Sequence, residues 1–215
     1  MKLYSIIILF CLCLFISACS SADKGYHENG KLKFEIQKNN GHYNGIATWY
    51  YSNGLKQHEC NYINDTLQGE SVRWYNNGKT HSIENFIDNK LHGLSSTFDM
   101  NGKKSSEDTY TMGILDGKTT QYYPNGKARI EGNYSNGMYD GRWIYYDEDG
   151  TIIGISQFKN GTGKQKSWYR NAGLQREINY RDNEKHGKET WYNADETIAK
   201  IIFYDDGEVI SSEEF

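Results

Sequence analysis

The chain has 215 residues, with 24 Lys and Arg against 28 Asp and Glu, and a formal charge of −4. So mild an acidic balance, without a polybasic run, excludes the electrostatic footprint of a nucleic-acid binder and a purely electrostatic membrane patch. Its 18 Tyr, its single Pro and the lack of long aliphatic runs beyond the N-terminus argue against a thick aliphatic core and for an aromatic-rich sheet.

Residues 1–18 are a different kind of polymer. Lys2 gives a positive start, an apolar run follows from Ile6 to Ile16, and the small residues Ser17 and Ala18 precede Cys19. This is the layout of a secretory signal peptide, and the apolar run is too short to span a bilayer comfortably. Ile16-Ser17-Ala18-Cys19 resembles the bacterial lipobox. The resemblance implies export, acylation of Cys19 and a lipid anchor in the cell envelope. Ser20 stands where Asp often retains lipoproteins at the inner membrane, which favours the outer membrane if the cell is diderm. Cys11 and Cys13 would leave with the signal peptide, and Cys60 would then have no disulfide partner. Loss of Lys2 moves the charge to −5. Residues 19–25 read as the lipidated Cys and a short polar tether, and 26–44 as an N-terminal half-repeat around His27-Glu28-Asn29-Gly30-Lys31.

From residue 45 to 215 the chain repeats. Gly45, Gly69, Gly93, Gly117, Gly141, Gly163 and Gly187 open seven units, and every interval is 24 residues except the 22 from Gly141 to Gly163. A fixed period of this size is the signature of an array. The fifth place after the glycine is aromatic in every unit: Tyr50, Trp74, Phe98, Tyr122, Tyr146, Trp168 and Tyr192. The seventeenth is aromatic as well: Tyr62, Phe86, Tyr110, Tyr134, Phe158, Tyr180 and Tyr204. The eighth is always Asn or Asp, and the ninth is Gly except for Ala172 and Glu196. The short interval reflects two residues missing just after Phe158.

Each unit reads as a β-hairpin. In unit two, Glu70 to Tyr75 is rich in β-formers and meets Asn76-Asn77-Gly78. Asn-Gly tolerates positive φ at both central positions of a tight turn. A second run, Thr80 to Ile87, is followed by a polar linker from Asp88 to His92. Helical spacing is absent throughout. The fold expected is all-β: an elongated antiparallel meander of stacked 24-residue hairpins, closed by a C-terminal cap. With a two-residue turn, the fifth place would face the twelfth and the two aromatic columns would interleave on one face. The remaining aromatics, Trp49, Tyr51, Tyr75, Tyr123, Trp143, Tyr145, Tyr169 and Trp191, would then occupy the opposite face beside the fourteenth place (Glu59, Ile83, Glu107, Glu131, Ile155, Glu177, Ile201). Exposed Trp and Tyr are favoured contacts for proteins and sugars, which makes these eight the candidate binding face.

The pattern of Gly, four residues, an aromatic, Tyr, one residue and Asn-Gly-Lys resembles the MORN-repeat variant. Bacterial members are often labelled as the YwqK family of antitoxins. The resemblance covers the chain from about Gly25 onward. It implies a binding or scaffolding module without catalytic residues, and the label implies a toxin partner. Ala172 and Glu196 depart at the turn glycine, and Asp99, Asp147 and Asn193 where Tyr follows the aromatic; looser turns are expected there. Chemistry-bearing motifs are absent. Gly161-Thr162-Gly163-Lys164 lacks the first Gly and the hydroxyl residue of a phosphate loop. The six His show no metal-ligand spacing, and Cys60 has no catalytic companion. The expectation is a protein without cofactor or metal that is not an enzyme. It would hold a protein partner at the envelope, with an immunity role or a cell-wall glycan as the alternatives.

Overall fold

The computed structural model describes residues 20–215; the predicted signal peptide and Cys19 lie outside them. The described chain is one open antiparallel sheet in meander order. The half-repeat supplies β1 (Ser20–Tyr26) and β2 (Leu32–Asn39), so residues 20–25 are a paired strand and not the expected tether. Unit one is β3 (His42–Tyr50) and β4 (Lys56–Ile63). Unit two is β5 (Thr66–Leu67), β6 (Gly69–Trp74) and β7 (Thr80–Ile87), and unit three is β8 (Lys90–Leu91), β9 (Gly93–Phe98) and β10 (Lys104–Thr111). Next come β11 (Ile114–Tyr122) with β12 (Ala128–Ser135), then β13 (Met138–Tyr146) with β14 (Ile152–Lys159). The array ends with β15 (Thr162–Trp168), β16 (Leu174–Arg181), β17 (Glu184–Tyr192), β18 (Ile198–Asp205) and the capping strand β19 (Glu208–Glu214).

Two kinds of turn alternate, and they exchange the places that the residue types suggested. At the Asn-Gly site of unit two, Tyr75 N–H donates to Lys79 O (2.8 Å) and Gly78 N–H to Tyr75 O (2.9 Å). Only Gly78 is left-handed there, at φ 83°. This is a three-residue loop, a type I turn closed by a glycine bulge, not a two-residue turn. The tight two-residue turns lie at the unit junctions instead, where both central residues have positive φ: Asn64 and Asp65, Asp88 and Asn89, Asn136 and Gly137. The presumed linker Asp88 to His92 is therefore a hairpin turn that runs directly into β8.

The opening glycines sit inside strands, at a bulge. Between β12 and β13 the pairing passes from Glu131↔Ile144 to Asn133↔Asp140, a jump of two residues that places Gly141 at φ 66°. Polar side chains of the preceding strand close this bulge elsewhere: Gln37 Oε1 accepts from Ile46 N–H (3.0 Å), and Asn179 Nδ2 donates to Lys188 O (2.6 Å). The two residues missing after Phe158 delete one bulge. β14 and β15 pair without a register shift, and Gly163 alone among the openers has no left-handed φ. The buried turn at Gly161 is covered by its neighbours: Asn183 donates from Nδ2 to Gly137 O (2.8 Å) and accepts from Tyr139 N–H (2.7 Å).

The bulges and the three-residue loops decide which side chains share a face. Gly45 pairs with Tyr62, Ala47 with Cys60 and Trp49 with His58, so these six lie together. Thr48 pairs with Glu59 and Tyr50 with Lys56, on the other side. The two aromatic columns are thus on opposite faces, and the fifth place meets the eleventh, not the twelfth. The seventeenth column belongs to a core face holding Ile36, Ala47, Cys60, Trp143, Phe158 and Ile178, all buried. Midway along the array this face is lined by buried hydroxyl residues, Ser71, Ser82, Ser95 and Thr119. The fifth and fourteenth columns share the far face.

Candidate binding surface

The structure divides the eight predicted contact residues into two groups, neither of which forms an exposed recognition face. Tyr51, Tyr75, Tyr123 and Tyr169 stand at the loop edge as struts between repeats. Their hydroxyls donate to the backbone carbonyls of Trp74, Phe98, Tyr146 and Tyr192 at 2.7–2.8 Å. In the half-repeat His27 Nε2 takes the same role toward Tyr50 O (2.9 Å). The eighth-place Asn works beside them. Asn53 Oδ1 accepts from Leu55 N–H (3.0 Å), while its Nδ2 donates to Asn76 O in the next repeat (2.9 Å). Asp149 and Asp195 keep the first of these bonds, which is why Asp is tolerated at this place.

The other four lie on the core face. Trp143 is buried and packs edge-on against Tyr134, Tyr139 and Phe158. Its placement as an exposed contact is corrected: the one-residue offset between the faces puts it among the seventeenth-place aromatics. Tyr145 is half-buried, and burial raises its phenol pKa. Trp49 stacks on His58 at 5.0 Å, and burial with the nearby Arg73 pushes the His58 pKa down to about 4. The Arg176 guanidinium lies 4.6 Å from the Trp191 ring centre. Arg176 also faces the buried Glu189, whose closer cation is Lys185 at 2.8 Å.

The far face carries a division that the aromatic columns concealed. At the first place after each opening glycine, units one to three have Ile46, Glu70 and Leu94, and units four to seven have Lys118, Arg142, Lys164 and Lys188, all exposed. At the eleventh place, units one to four have Lys56, Thr80, Lys104 and Ala128, and the last three have Ile152, Leu174 and Ile198. These aliphatics pair across the strands with Tyr146, Trp168 and Tyr192. A shallow groove of ≈ 320 Å³ lies there, lined by Ile152, Ile155, Trp168 and Tyr169 among others. The fourteenth-place acids are held by lysines: Lys104 lowers the Glu107 pKa, and Lys164 that of Glu177. Arg142 and Lys188 make no ion pair among the described residues. Both stripes are written in the sequence, at the first and eleventh places of the same register that sets out the aromatic columns.

One cluster has the donor set of a cation site. His186 Nδ1 lies 3.2 Å from an Asp205 carboxylate oxygen and 3.4 Å from one of Asp206. Arg181 already reaches Asp206 at 2.6 Å and Asp205 at 3.7 Å, so a guanidinium supplies the positive charge.

Among comparisons with known proteins, no curated protein matches the chain. A solved structure described as alternansucrase in complex with isomaltononaose matches over 86% of this chain and 18% of its own, at 13% identity and a TM-score of 0.22. At that score the likeness says nothing about this chain's activity. The family model for the MORN repeat variant matches residues 24–40, 43–64, 67–88, 115–136, 139–160 and 185–214, more than half of the chain. The unmatched stretches include unit three, where Asp99 replaces the strut Tyr, and unit six, which follows the missing bulge; the hairpins continue through both. The chain belongs to the MORN repeat variant family.

Proposed function

We propose that this protein is a non-enzymatic binding module, exported and lipid-anchored through Cys19 to the bacterial cell envelope, where it holds another protein. One observation carries the reading. The three-residue loop recurs in every unit and the bulge in every unit but the sixth, yet the first and eleventh places of the far face change character halfway along the array. A scaffold indifferent to those side chains leaves recognition as the reason for them. Arrays of this kind offer extended surfaces, and a mixture of aromatic, aliphatic and Arg groups is typical of protein contacts. In a diderm cell the outer membrane is the expected site.

The test is photo-crosslinking in cells, with the reactive residue placed at position 118 or 188 on the far face. A protein adduct in the membrane fraction is expected, with release of the protein to the soluble fraction in Cys19→Ser. Adducts only to glycan or lipid, or none at all, would overturn the reading.

A further inference from the structure

The two stripes of the far face run parallel, across the strands. Lys118, Arg142, Lys164 and Lys188 occupy alternate strands, and neighbouring strands lie about 4.8 Å apart, so the cations recur about every 10 Å. The stripe of Trp168, Leu174 and their counterparts lies four residues further along each strand, roughly 13 Å away. Ile152 remains 45% and Ile198 38% exposed, so this stripe is open to a partner. Two carboxylates, Glu131 and Glu177, offset part of the positive charge, and Arg142 and Lys188 carry theirs without ion-pair partners among the described residues.

Resting on the reading above, we infer that the far face of units four to seven docks an acidic amphipathic helix of a protein partner. In such a helix, side chains seven residues apart lie on one flank at a rise of about 10.5 Å, the spacing of the cation row. Its diameter of about 10–12 Å matches the separation of the stripes. Apolar residues would rest on Trp168 and Leu174 while carboxylates along one flank face Arg142, Lys164 and Lys188. Charge complementarity across an interface supplies register and rate, and the apolar stripe supplies the buried area.

The test uses a helical peptide of about 21 residues with Leu on one face and Glu at every seventh position along its flank. A control carries Lys in place of Glu. Fluorescence anisotropy with the lipid-free full-length exported chain should show binding of the Glu peptide, weakened by added salt, and none of the Lys peptide. The triple variant Arg142→Glu, Lys164→Glu, Lys188→Glu should lose at least about tenfold in affinity. The same charge change at Lys24, Lys33 and Lys90, which lie outside units four to seven, should lose little. The neutral triple to Gln gives an intermediate loss and serves if the reversal fails to fold by circular dichroism. Equal binding by the Lys peptide, or by the triple variants, overturns the inference. So does displacement of the peptide by polygalacturonate or phosphatidylglycerol vesicles, which would mark a generic anion surface. With the reactive residue at position 118, a protein adduct formed equally by wild type and triple variant would leave the binding function standing and remove this site.

Discussion

Trp143 seats its indole over Gly132, where a Cβ would fall well inside contact distance of the ring. The indole N–H donates to Asn133 O at 3.1 Å, which fixes the ring against the strand. Gly132→Ala should therefore expel the indole. Trp143→Ala should cost about 3–5 kcal/mol, the usual range for removing a buried Trp. Urea denaturation followed by tryptophan-independent circular dichroism measures both. A Trp143→Ala protein of unchanged stability would show that the ring is not core.

The struts predict small, additive losses. Tyr75→Phe removes one hydroxyl-to-carbonyl bond between repeats and should cost about 1 kcal/mol. The same change at Tyr51, Tyr123 and Tyr169 should behave alike, since the sites are separated by whole repeats. Tyr26→Phe, at an exposed strand end, is the neutral control. Denaturant midpoints of single and combined variants check the series.

Ala172 and Glu196 hold the turn-glycine conformation at φ 69° and 65°. Their loops are not looser than the others: Ala172 N–H donates to Tyr169 O at 2.9 Å and Glu196 N–H to Asn193 O at 3.0 Å. A residue with a Cβ is strained there, so Ala172→Gly and Glu196→Gly should each stabilise by about 0.5–1 kcal/mol despite the added freedom of the unfolded chain. Thermal melts of the two variants decide it.

His58 makes stability depend on pH. Burial and Arg73 hold its folded pKa at about 4, below the ordinary histidine value of about 6.5, so the folded state keeps it neutral. The unfolded chain takes up the proton first as pH falls. The contribution is complete above the unfolded pKa, declines through that window and levels off near the folded value. His58 is half-buried, so solvent screening reduces the swing to roughly 1–2 kcal/mol. His58→Gln should flatten the stability profile between pH 6.5 and the onset of carboxylate titration, read from urea midpoints at a series of pH values.

The period, the hairpins and the structural role of the glycines were readable from residue types alone, because each unit repeats the same local chemistry. Face assignment was not. It depends on the register of each hairpin, which is set by the three-residue loop and the one-residue shift beside it, such as that between Trp49 and Tyr50, and residue types do not mark either. Placing the columns of Tyr50 and Tyr62 on one face overlooked that Tyr62 pairs with Gly45, five residues before Tyr50 and so on the other side of the strand. The tyrosines after the fifth column looked free for recognition because a strut bond to a backbone carbonyl leaves no trace in the partner's side chain. The basic and aliphatic stripes are legible in the same register, at the first and eleventh places of units four to seven and five to seven.

The missing bulge between β14 and β15 has an evolutionary corollary. Because side chains alternate with a period of two, removing a dipeptide leaves every later residue on its original side of the sheet. Removing one residue would transpose the two sides from that point to the C-terminus, burying Lys188 and baring Ile178 and its neighbours. Insertions and deletions in this array are thus quantised. Even steps at the bulge change the local path of the chain and preserve the pattern of the remaining repeats, which gives such arrays a way to vary in length without redesign.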